Sequence, residues 1–111
     1  IPPDLLKHHP GIAKAWISFN GTGTIAVRAS YNITSITDNG TGNTTITIAT
    51  DFSSIEYAVV GMSGQGTERA HIMVHGPDDT PTAGTYDVHT SYQGGVAEDM
   101  AFVSIAFFGD Q

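Results

Sequence analysis

Apolar and polar residues alternate with a period of two over most of this chain. Ala15, Ile17 and Phe19 fall on one side of an extended backbone, and Lys14, Trp16 and Ser18 on the other. That is the signature of a half-buried β-strand. The alternation returns with Ile25, Val27 and Ala29 against Thr24, Ala26 and Arg28, and runs through 31–37 (YNITSIT). It appears again in 44–50, where Ile46 and Ile48 oppose Thr45 and Thr47. Turn residues stand between these runs. Asn20-Gly-Thr-Gly23 supplies glycine for positive φ. Asp38-Asn-Gly-Thr-Gly42 contains Asn-Gly, which favours a type I′ hairpin turn. Further strands are predicted over 56–60, 68–75 and 85–92, separated by Ser63-Gly-Gln-Gly66 and the nine-residue loop 76–84, with Gln93-Gly-Gly95 ending the third. The last run, 100–108 (MAFVSIAFF), is apolar on both sides. It predicts a strand at a sheet centre or at a subunit contact.

No stretch of ten residues or more has a helical period, and no unit recurs at fixed spacing. Seven or eight short strands in one domain, 12–111, predict an all-β fold, an antiparallel β-sandwich or a jelly-roll-like variant. Residues 1–11 hold three of the five prolines. Proline fixes φ and cannot donate to a ladder, so an extended arm or linker is expected there. The Leu5–Leu6 pair in that arm needs cover, which a neighbouring subunit could provide.

Composition narrows the partners. With 111 residues there is room for one domain and one core. Only 14% of residues are charged, and the net charge is −7. The bases are Lys7, Lys14, Arg28 and Arg69, and six acids but no base follow Arg69. Nothing here clusters positive charge against phosphates, so neither nucleic acid nor an anionic membrane surface is an expected partner. There is no cysteine, hence no disulfide and no thiolate metal site. No apolar run reaches the length of a membrane-spanning helix. The chain begins at Ile1 rather than Met, which predicts a piece of a longer polypeptide.

Candidate chemistry is sparse. His71 and His75 are four apart in one predicted strand, about 13 Å along it, too far to share one ion. Either could meet His89 in the next strand across an inter-strand pair, and a metal on a threefold axis would be the use of such a pair. A polar, titratable face is the plainer reading, and no cofactor is expected. Asp78 and Asp79 with Asp87 are oxygen donors of the kind Ca²⁺ takes. Asp38–Asn43 lacks the spacing and the closing glutamate of a calcium loop and reads as a hairpin. Tyr86 and Tyr92 are candidates for stacking on sugar rings, whereas Trp16 reads as core or interface. Asp78, Asp79, Tyr86, His89 and Tyr92 together form the expected receptor- or partner-binding set. Glu98 and Asp99 are adjacent and so point to opposite faces of a strand, which prevents them acting as a carboxylate pair. No nucleophile with a partnered base is present, and no enzymatic activity is expected.

One stretch carries a resemblance. His9-Pro-Gly, Lys14-Ala-Trp16, Phe19-Asn-Gly, Arg28 with Tyr31-Asn, Ser35-Ile-Thr-Asp-Asn-Gly-Thr-Gly42, Glu56-Tyr-Ala-Val-Val-Gly61 and Val103-Ser-Ile-Ala-Phe-Phe-Gly-Asp110 occur in that order. Together they resemble a β domain near the C-termini of bacteriophage tail fibre and related virion proteins. The likeness covers roughly residues 9–61 and 101–110. It implies a homotrimeric module of the virion surface, on tail or capsid, that attaches to a host glycan or protein. The trimer contact would then explain the doubly apolar last strand. Specificity would lie in 62–100, above all in loops 76–84 and 93–97. Capsid decoration through the 1–11 arm is an alternative implied role, and a carbohydrate-binding module is another.

Overall fold

The computed structural model describes residues 3–64, 71–75, 81–92 and 96–111, with 3–4, 71–75 and 92 described by backbone alone. The described residues form eight strands: β1 (Ala13–Asn20), β2 (Ala26–Tyr31), β3 (Ile33–Gly40), β4 (Asn43–Ile48), β5 (Ala58–Gly64), β6 (His71–His75), β7 (Thr85–Tyr92) and β8 (Phe102–Phe108). They form two four-stranded antiparallel sheets, ordered β2-β1-β8-β5 and β3-β4-β7-β6. The expected β-sandwich is therefore the observed architecture. Its core lies between the sheets. Ala15, Ile17, Phe19, Val103, Ile105 and Phe107 come from one sheet, and Ile46, Ile48, Tyr86 and Val88 from the other. The period-two alternation of the sequence is what delivers these side chains to a single face of each sheet.

Two details differ from the sequence reading. The N-terminal segment is not an extended arm. Pro3–Leu6 makes one turn of α-helix, which proline tolerates at a first turn because its missing N–H has no helical partner there. The segment after it is latched to the far end of the chain. Gln111 N donates to Lys7 O at 2.9 Å, and His8 Nδ1 meets the Asp110 carboxylate. The β3–β4 hairpin forms where expected, but its two-residue tip is Thr41–Gly42 rather than Asn39–Gly40. Asn39 is instead the extra residue of a register shift, with its Nδ2 donating to Thr45 Oγ1. Gly42 takes φ +67° at the tip, and Asp99 Oδ1 accepts its N–H at 2.7 Å.

The chain passes from the first sheet to the second at Asn32. This residue has φ +58°, a left-handed conformation that Asn tolerates better than most residues. Its Nδ2 donates to Lys14 O, and its Oδ1 accepts from Thr50 N, both at 3.0 Å. A single side chain thus ties the corner to β1 and to the segment that follows β4.

A candidate interaction face

The outer faces of the two sheets are unlike. On the β2-β1-β8-β5 sheet the register lines up Tyr31, Trp16, Ala106 and Val60 across the strands, and beside them Ala29, Ser18, Ser104 and Met62. Directly opposed residues share a face, and this face points away from the core. Trp16 is 40% exposed, Val60 55%, Phe102 59% and Met62 80%. Small residues, Ser18, Ser104 and Ala106, lie between Trp16 on one side and Val60 and Met62 on the other. The result is an open trough of about 720 Å³ lined by Trp16, Ser18, Val60, Met62, Ser104 and Ala106. None of the four strands contains Asp or Glu.

The two cations of this sheet are both bulge residues, left over where the register slips. Lys14 falls between Ala13 and Ala15, and Arg28 between Val27 and Ala29. Lys14 is buried, and its ammonium donates to the carbonyls of His9, Ile12 and Gly109. Arg28 donates to the carbonyls of Phe19 and Ala101, and its guanidinium lies 4.4 Å from the Phe102 ring centroid. Such a stack is a favourable cation–π contact. Each charge is thereby committed to backbone carbonyls rather than offered to a ligand.

The outer face of the other sheet is polar. Thr45, Thr47, Thr85, Asp87, His89 and Ser91 alternate with the buried Thr44, Ile46, Ile48, Tyr86, Val88 and Thr90. Thr45 Oγ1 donates to Asp87 Oδ1 at 2.5 Å. His89 is half-buried on this face, opposite Asn43 and Val74.

Among the described residues, Tyr86 and His89 of the predicted set lie on opposite faces of β7. Tyr86 is 5% exposed and edge-on to Phe107 at 5.6 Å, so its place is in the core and not on a sugar-binding surface. The parity of β7 decides this, because Tyr86 shares the inward face with Val88. The register sets His71 opposite Tyr92, Val74 opposite His89 and His75 opposite Val88. The direct pairing of His89 with His71 or His75 that a shared metal would use is not formed. Asp78 and Asp79 lie outside the described residues, as does most of loop 76–84. Trp16, expected in the core or an interface, stands on the outer face. Asp99 braces the hairpin by holding the Gly42 amide, and Glu98 N donates to Thr90 O of β7 at 3.0 Å. The residues that the sequence reading missed are Val60, Met62 and Phe102. The signal was present in β8, whose outward positions Phe102, Ala106 and Phe108 are apolar as well as its inward ones.

At one end of the core, Phe52 stacks on Tyr57 at 4.5 Å, and Tyr57 meets Phe107 edge-on at 6.1 Å. Tyr57 Oη donates to the carbonyls of Thr82 and Thr85. Burial, with a smaller contribution from Tyr86, pushes the Tyr57 phenol up to about 12. Burial raises Tyr86 too. These aromatics are structural: they pin the 81–85 segment to the sandwich.

Comparison of the chain with models of known protein families, with curated proteins and with solved structures gave no match.

Proposed function

We propose that this domain is a non-catalytic module of a virion fibre that assembles as a homotrimer and serves host attachment. The observation that carries the reading is the contrast between the two outer faces. An acid-free apolar face suits assembly, and a hydroxyl-, Asp87- and His89-bearing face stays in water for recognition. The trimer and the virion setting come from the resemblance carried by His9–Gly61 and Ala101–Asp110. Attachment by such a module is multivalent. Three weak copies held together gain avidity through effective concentration without any strong single site.

Capsid decoration would use the N-terminal segment as a free docking arm. Residues 7–9 are instead bonded to Gln111, Asp110 and Lys14 of the same chain, which favours the fibre reading. Light scattering on the purified domain tests the assembly. A trimer mass at micromolar concentration is expected, and a monomer mass overturns the proposal.

A further inference from the structure

Resting on the assembly reading above, we infer that the outer face of the β2-β1-β8-β5 sheet is covered by the neighbouring copies of this chain in the trimer. Met62 of one copy seats in the trough over Ser18, Ser104 and Ala106 of the next. Shape is the first argument. Across the sheet, Ala29, Ser18 and Ser104 form a row of small side chains that ends in Met62, the most exposed large apolar residue of the sheet. The same face therefore carries a knob and, beside it, a hollow bounded by Trp16. Methionine is flexible and polarisable, so it adapts to such a hollow with little strain.

Charge is the second argument. Copies of a chain with net charge −7 repel one another. The approach that costs least brings together surfaces without acids, and the four strands of this sheet have none. Arg28 is already engaged by two carbonyls and the Phe102 ring, so the described residues of the face offer no free cation to an acidic partner.

Area is the third. With aromatic side chains at roughly 200 Å² each, the exposed parts of Trp16, Tyr31 and Phe102 with Val60 and Met62 amount to about 500 Å² of apolar surface. Interfaces between identical subunits are about two-thirds apolar. The patch thus matches the apolar share of one side of a standard interface, which buries about 800 Å² per partner.

The test compares wild type, Met62→Glu, Ser104→Trp and Met62→Leu by light scattering and circular dichroism at matched concentrations. Met62→Glu puts a charge on the knob, Ser104→Trp fills the hollow, and both positions are solvent-exposed and outside the core. Both variants are expected to keep the β spectrum and to need at least about 100-fold more protein to assemble, while Met62→Leu behaves as wild type. A wild-type trimer that survives both substitutions overturns this surface and leaves the assembly reading standing. A wild-type monomer overturns the assembly reading itself, and with it the neighbouring copies as occupants.

Discussion

Lys14 shows how far a single residue can depart from its sequence appearance. In the alternating pattern it sits on the polar side of a strand, and solvent exposure would be the simple reading. The bulge at the start of β1 turns it under the N-terminal segment, where three carbonyls take its three N–H donors. Lys14→Met keeps the aliphatic stem and removes the donors, leaving carbonyls in a partly buried site without them. A loss of about 2–3 kcal/mol is expected in chemical denaturation, with faster amide exchange over residues 8–12. Gly42 is another position where one atom matters. A Cβ there would land on the Thr90 carbonyl oxygen, and φ +67° disfavours any L side chain. Gly42→Ala is expected to cost at least about 2 kcal/mol, read as a shift in the denaturation midpoint. The glycine itself stands out in the sequence, but the reason for it does not. Thr90 is 48 positions away and comes against the turn only after β7 has paired with β4.

Among the elements, the β3–β4 hairpin was the most legible. Asn-Gly with flanking alternation specified two antiparallel strands and nearly their ends. The tip moved two residues because Asn39 found a partner in Thr45 and Gly42 found one in Asp99, contacts that no local pattern contains. β7 was legible as a strand, while its inward face was misjudged for Tyr86, since alternation defines two faces and does not say which is buried. The aromatic group linking Phe52, Tyr57, Tyr86 and Phe107 makes a pH prediction at this scale. An unfolded tyrosine titrates near 10, and folded Tyr57 is raised to about 12. The unfolded chain therefore releases its proton first as pH rises. The contribution of Tyr57 to stability is complete below pH 10 and declines between about 10 and 12, and Tyr86 adds in the same direction. Denaturation midpoints should fall across that interval. They should fall less steeply in Tyr57→Phe, which starts about 1 kcal/mol lower at neutral pH for want of the bonds to Thr82 and Thr85. An equal slope in the two proteins would contradict the assignment.

For the whole molecule, the proposed assembly sets apolar contact against like charge. Each copy carries −7, and its acids lie off the β2-β1-β8-β5 strands. Screening should therefore help association. Raising ionic strength from about 0.01 M to about 1 M shortens the Debye length from roughly 30 Å to roughly 3 Å, and the assembled fraction should rise with it. Association held by ion pairs between copies would fall instead.

The sequence by itself determined the class of fold. Period-two alternation, turn chemistry and an apolar closing strand are local signals, and they are enough to specify short strands, their approximate ends and a two-sheet sandwich. It also showed that β8 is apolar on both sides. Only the tertiary structure decided what that meant. β8 pairs with β1 and β5 at the centre of one sheet, one face meets the core, and the other joins Trp16, Val60 and Met62 in an open trough. Those residues come from positions 16 to 106 of the chain, and their common face depends on register between strands far apart in sequence. A one-residue slip would send each of them to the other side.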